Sequence, residues 1–168
     1  METNLEKIKE ISKKREDENW KFRSFLKWTD ISERKIDSIV HGLYQEVSKE
    51  IDCRTCANCC KELQPVMDED DIQRLSKGIG ISVTEFIEKY LAKSENSEGY
   101  RFNTSTCPLL VDSLCSHYDH RPKECRSYPH LHKKDFTSRL MNVIDNCSVC
   151  PIVYNVYELL KSRITRRK

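Results

Sequence analysis

Four cysteines crowd the eight residues Cys53-Arg54-Thr55-Cys56-Ala57-Asn58-Cys59-Cys60, and no other stretch of the chain restricts its fold so severely. Cys53, Cys56 and Cys59 follow at intervals of three. A loop with two residues between thiols can curl so that successive sulfurs face a common centre, a spacing that serves zinc sites and iron–sulfur proteins. Cys107, Cys115, Cys125, Cys147 and Cys150 bring the total to nine, and an odd number cannot be fully paired within one chain. Met1 to Lys7 shows no basic segment followed by an apolar one, so no secretory signal is expected. The expected location is cytoplasmic, where structural disulfides are rare. Thiols that are clustered and kept reduced point to metal ligation over mere burial.

The adjacent pair Cys59-Cys60 restricts the site further. Neighbouring side chains point about a third of a turn apart in a helix and to opposite faces in a strand. Both thiols are therefore not expected on one tetrahedral ion. Either Cys60 serves a second metal, or one thiolate bridges two metals, or Cys60 is simply buried. So many thiols suit two four-sulfur sites or one polynuclear cluster better than a single zinc. The run partly resembles that of bacterial ferredoxins, whose further ligand precedes a proline, as Cys107-Pro108 and Cys150-Pro151 do here. The spacing after Cys59 departs from that pattern.

The remaining chain reads as mainly α, a small irregular helical domain with a short hairpin and loops around the cysteine cluster. Apolar residues at 38% and charged residues at 33% allow one domain with a modest core, and no apolar run approaches the roughly 18 residues of a membrane helix. Residues 1–28 form a charged helical lead-in ending in Trp20, Phe22, Phe25, Leu26 and Trp28. This aromatic patch docks on the core or, alternatively, meets a protein partner. Residues 29–168 form the domain. Asp30 with Glu33 makes a capping-box pattern, and Ile36, Val40, Leu43, Val47 and Ile51 line one helix face that leads into Cys53. His41, near that face, reads as a structural histidine.

Beyond the cluster, Lys61–Met67 should be extended because Pro65 disfavours helix just before it. Asp68 to Asp71 load the first turn of a helix that Gly78 should stop. Ser82 and Glu85 form a second capping box ahead of Phe86, Ile87, Tyr90 and Leu91. Residues 93–99 read as a surface linker and Tyr100–Phe102 as a strand. Cys107–Cys115 should be a hairpin turning at Asp112-Ser113. Pro122 should open a helical turn carrying Cys125. Residues 133–145 fit helix or strand. Pro151 begins a last helix with Val153, Val156, Tyr157, Leu160 and Ile164 on one face. Lys161, Arg163, Arg166, Arg167 and Lys168 then meet the negative end of its dipole. The net charge of +2 argues against a nucleic-acid surface.

These motifs together resemble the CxxCxxCC family of zinc- or iron-chelating domains. The likeness is carried by Cys53-x-x-Cys56-x-x-Cys59-Cys60, by Cys107-Pro108-Leu109-Leu110, and by Cys115-Ser116-His117-Tyr118 with Arg121-Pro122-x-x-Cys125-Arg126-x-Tyr128-Pro129, ending in Cys150-Pro151. It spans about residues 30–165. The resemblance implies eight metal-directed cysteines, Cys53, Cys56, Cys59, Cys60, Cys107, Cys115, Cys125 and Cys150. It leaves the cofactor open between zinc and iron, with an iron–sulfur cluster among the options. His117 stands where the family has an aliphatic residue, and Cys147 is unassigned. Arg121 and Arg126 flank Cys125 and either donate to thiolates or bond backbone carbonyls. His130 and His132 are weaker ligand candidates.

Three functions fit these residues. The first is a metal-binding protein whose centre is structural, redox-active or a store. The second is an iron–sulfur-dependent protein-modifying enzyme or accessory subunit, since flagellin lysine methylases resemble this family in their cysteine region. The third is an interaction protein with structural zinc. With only four glycines there is no phosphate loop, and Gly78-Ile79-Gly80 lacks the third glycine of a dinucleotide fingerprint, so the reading leans away from a free-standing enzyme. A core this small should lean on its ligands, so a chelator is expected to unfold the chain.

Overall fold

The computed structural model describes residues 1–94 and 98–165. In chain order its helices are α1 (Leu5–Lys14), α2 (Glu16–Trp28), α3 (Glu33–Glu50), α4 (Asn58–Glu62), α5 (Glu69–Ile79) and α6 (Val83–Tyr90), followed by α7 (Lys123–Ser127), α8 (Leu140–Cys147) and α9 (Pro151–Thr165). The strands form two antiparallel pairs, β1 (Leu91–Lys93) with β2 (Tyr100–Phe102) and β3 (Leu110–Val111) with β4 (Leu114–Cys115). The fold is mainly α with short hairpins, as the patterning predicts. Two compact units emerge, one of residues 1–53 with 129–168 and one of residues 54–128.

In the first unit, α3 turns Ile36, Val40, Leu43 and Val47 fully inward, as their spacing predicts. Each such side chain contributes about 1.5–3 kcal/mol. The helix starts later than the Asp30–Glu33 box implies, after Ser32 and without a side-chain cap. The Glu33 carboxylate is instead engaged by Thr137, whose N and Oγ1 donate to it at 3.3 and 2.5 Å. Asp37, buried on α3, accepts from the backbone N–H groups of Asp135 and Phe136, each at 3.0 Å. Those groups open the 3-10 turn Phe136–Arg139 and have no partner inside it. This settles the ambiguous stretch as a turn leading into α8. His41 faces the Lys133 carbonyl at 3.3 Å, consistent with a structural role.

The lead-in helices belong to this same unit. Phe22 and Leu26 are buried, and the Phe22 ring meets Tyr157 edge-on with centroids 5.5 Å apart. Trp20 and Phe25 are half-buried, whereas Trp28 is 88% exposed. Helix α9 is buried more widely than a one-face pattern implies, because Pro151 through Tyr157 are all inside. Asn155 is tolerated there because its Nδ2 donates to the carbonyls of Glu2 and Pro151 at 2.7 and 2.8 Å.

Lys161 corrects the reading of a basic C-terminal tail. Its side chain is only 9% exposed, and its Nζ reaches Glu18 at 2.7 Å, Glu158 at 2.5 Å and Asn19 Oδ1 at 2.9 Å. Arg166, Arg167 and Lys168 lie outside the described residues. The lysine is the buried partner, while Glu18 and Glu158 stay 56% and 24% exposed. Removing different partners should therefore have unequal effects. Lys161→Met, which removes the buried charge and keeps the volume, is expected to change the unfolding free energy by less than about 1 kcal/mol. The Glu18→Gln, Glu158→Gln double variant strands the ammonium and should cost about 3 kcal/mol in urea unfolding. Equal losses would contradict this.

The second unit packs Met67, Ile72, Leu75, Phe86, Leu91, Phe102 and Leu109 into one core. Helix α5 begins at Asp68, whose carboxylate accepts from Asp71 N at 2.9 Å, and ends at Gly80 with φ 85°, two residues beyond the expected stop. Ser82 Oγ accepts from Glu85 N at 3.1 Å, as the capping box predicts. Lys61 and Glu62 are still helical, and the extended backbone begins after them. Of the expected surface linker, Lys93 instead ends β1 opposite Tyr100, and residues 95–97 lie outside the described residues.

Candidate metal centre

The cysteine-rich stretch is built from tight local turns. Cys53–Thr55 form a 3-10 turn, and Ala57 follows in the left-handed region at φ 52°. That reversal starts α4, in which Cys60 N donates to the Ala57 carbonyl at 3.0 Å. The Cys60 carbonyl in turn accepts from Cys107 N at 2.9 Å, which ties the second cysteine motif to the first. From Cys107 the chain enters the β3–β4 hairpin. Asp112 (φ 47°) and Ser113 (φ 63°) occupy its turn as expected, because a two-residue hairpin loop with this twist needs both residues left-handed. Cys115 ends β4 opposite Leu110. Pro122 precedes α7 with extended ψ 153° and does not take its first helical position, and Cys125 lies within the helix.

The adjacent thiols do not diverge as expected. The Cys59 thiol donates to the Cys60 sulfur, because staggered rotation about each Cα–Cβ bond brings the two sulfurs back together. This hydrogen bond, helped by the Arg121 charge, holds Cys60 down to about 7 against the opposing effect of burial. Burial pushes Cys107 up to about 11 and Cys125 up to about 12, and neighbouring sulfurs add to both. Cys107 is affected by Cys60 and Cys115, and Cys125 by Cys107, Cys60 and Cys115. Cys115 is raised as well, first by burial and then by Cys60. Four thiols from three separate segments thus share one electrostatic neighbourhood.

That neighbourhood also contains groups that favour thiolate. The Leu109 and Leu110 N–H groups donate to the Cys107 sulfur, and the His117 N–H donates to Cys115. Hydrogen bonds to the charged form lower a thiol pKa. The Arg121 guanidinium acts in the same sense on Cys60, Cys115 and Cys125, and it stacks 3.4 Å from the Tyr118 ring centroid. Arg126 NH1 donates to the Arg121 carbonyl at 2.6 Å. The N–H donors and the Tyr118 platform are absent from the sequence reading. Only Cys107-Pro108-Leu109-Leu110 and Cys115-Ser116-His117-Tyr118, taken as turns, hint at them.

The other candidates lie elsewhere. Cys56 and Cys59 belong with the same unit, whereas Cys53, Cys147 and Cys150 belong to residues 1–53 with 129–168. Cys147 and Cys150 are buried there, and the Cys147 carbonyl accepts from Ser12 Oγ at 3.1 Å. His132 faces Tyr44 with ring centroids 6.4 Å apart, and the His130 carbonyl accepts from Arg139 at 2.8 Å. Among the described residues no three Cys, His, Asp or Glu side chains already stand as a group that could hold an ion. The donor set itself fits a thiophilic metal. Soft sulfurs, N–H donors aimed at them and a compensating arginine are what zinc or iron thiolates require.

Helix α5 supports this region through Gly78, which lies inside the helix. A Cβ there would meet the His120 ring at 2.5 Å from Cγ and 2.8 Å from Cδ2 and Nδ1. Helix propensity alone favours alanine over glycine by about 1 kcal/mol. The clash falls at the root of the ring, so Gly78→Ala is expected to destabilise by about 1–2 kcal/mol in urea unfolding. A gain in stability would show that His120 is free to swing aside.

A family model described as "Putative zinc- or iron-chelating domain", CxxCxxCC, matches residues 52–151, more than half of the chain. No curated protein and no solved structure matches.

Proposed function

The chain belongs to the CxxCxxCC family of zinc- or iron-chelating domains, and from that premise we propose that it holds its metal through eight cysteine thiolates. Cys60, Cys107, Cys115 and Cys125 form one four-sulfur set, and Cys53, Cys56, Cys59 and Cys150 are the remaining ligands. The observation that carries this reading is the tie from Cys107 N to the Cys60 carbonyl at 2.9 Å, together with the Cys60 charge acting on Cys107, Cys115 and Cys125 and the Arg121 charge acting on Cys60, Cys115 and Cys125. Bound zinc supplies structural cross-linking or Lewis acidity, and bound iron adds redox chemistry. Arg121 offsets the negative charge that a thiolate set accumulates. The N–H groups of Leu109, Leu110 and His117 fix the direction of two sulfurs.

Anaerobic purification followed by metal and acid-labile sulfide analysis tests the proposal. Colourless protein with about two zinc ions per chain supports two four-sulfur sites. Brown protein with sulfide supports an iron–sulfur cluster on the same thiols. Protein without metal, in which every cysteine reacts with an alkylating agent under native conditions, overturns the reading.

A further inference from the structure

Helix α7 carries Cys125 but spans only Lys123–Ser127, too short to hold itself in place. Its first N–H groups have no acceptor within the helix, and Pro122 in front of it provides no side-chain cap. The missing acceptor comes from α5. Asp71 Oδ1 accepts from Lys123 N at 2.9 Å, across 52 positions of sequence. Asp71 is 1% exposed, and the Arg74 guanidinium pairs with it. Asp68 completes the grip, since its carboxylate pairs with Lys123 Nζ while its Oδ1 accepts from Asp71 N at 2.9 Å. Lys123 is therefore held by both its backbone and its side chain.

A buried carboxylate is a costly way to build a helix cap. The second oxygen, Asp71 Oδ2, is buried without a hydrogen-bond partner, and an exposed serine or asparagine would cap without that desolvation. The arrangement makes sense as positioning. Lys123 sits midway between Arg121 and Cys125, two residues from each. His120, just before them, rests on Gly78 two turns further along α5. One rigid helix thus fixes both ends of the segment that brings Arg121 and Cys125 to the thiols. A metal–sulfur bond of about 2.3 Å tolerates displacements of only about 0.5 Å in its ligands.

We infer that Asp71 is the positioning residue that sets Cys125 and Arg121 in the thiol set. The inference rests on the metal-binding reading and deepens it. The test is residue-resolved alkylation by iodoacetamide of the full-length, zinc-loaded protein. In the Asp71→Ala variant, which removes the acceptor, Cys125 should react about tenfold faster, the scale of one charged hydrogen bond, while Cys60, Cys107 and Cys115 keep their protection. Lys123→Ala retains the backbone N–H and should leave Cys125 protected. Uniform protection in the Asp71→Ala variant overturns the inference, and so does equal loss at all four thiols with the helical signal intact. Should that variant fail to fold, amide exchange of the unsubstituted chain decides. The Lys123 N–H should exchange about tenfold more slowly than an unpaired amide, and free exchange overturns the inference. If zinc protects no thiol in the unsubstituted protein, the metal reading itself fails, an outcome separate from these.

Discussion

Phe86→Ala is expected to destabilise residues 54–128 by about 3–5 kcal/mol, a large part of what a unit this size has to lose. Phe86 is 0% exposed and shares its core with Met67, Ile72, Leu75, Leu91, Phe102 and Leu109. So few residues leave little capacity to close over the cavity an absent ring would create. The loss should also reach the thiols. Leu109 belongs to that core, and its N–H donates to the Cys107 sulfur. Loosening Leu109 therefore releases one constraint on the Cys107 thiol. Urea unfolding supplies the magnitude, and Val83→Ala on the same helix, at a residue 39% exposed, supplies the control, with an expected change within about 0.5 kcal/mol. A Phe86→Ala loss no larger than that of Val83→Ala would mean the core does not carry the unit.

The sequence conveyed the helices well where one physical rule governs them. The face of α3, the Ser82 cap and the Asp112-Ser113 turn each depend on local spacing or backbone chemistry that the residues declare. The readings that failed depend on distant partners. Asp30 and Glu33 look like a capping box until Thr137 takes the Glu33 carboxylate. Gly78 looks like a helix stop because glycine usually serves there, but its missing side chain makes room for His120. Lys161 looks like part of a basic tail and is buried against Glu18 and Glu158. The acidic run at Asp68–Asp71 looks like a charged helix start or a hard-cation site, while Asp71 reaches across to α7. In the candidate centre, the thiols were legible by type and order. The divergence argued for Cys59 and Cys60 was not, because backbone direction does not determine where a rotatable Sγ ends up.

Removing the metal under reducing conditions is expected to release residues 103–128 and to leave most of the helical signal at 222 nm. Along that stretch only Leu109 and Pro122 are buried, and the regular elements are two-residue strands, the 3-10 turn Tyr118–His120 and the five-residue α7. Ordering backbone costs about 1–2 kcal/mol per residue, and two buried side chains return about 3–6 kcal/mol, far too little for a segment this long. The local ties, Asp71 to Lys123 N and Cys60 to Cys107 N, add about 1–3 kcal/mol each. A thiolate-bound zinc contributes roughly 10–16 kcal/mol in small domains, more than the buried side chains and the two ties together. Residues 1–53 with 129–165 stand differently, because Ile8, Val40, Leu43, Val47, Leu140, Val153, Tyr157 and Leu160 are all at most 1% exposed, so burial alone accounts for their order. The expectation that a chelator unfolds the whole chain thus narrows to one segment. Hydrogen exchange read by peptide mass, before and after complete chelation, separates the cases. Faster exchange confined mainly to residues 103–128 is the expected result. Unchanged exchange there would mean the hairpin and α7 hold without metal, and collapse of the 222 nm signal would mean that the apolar core of α3 and α9 is weaker than its burial implies.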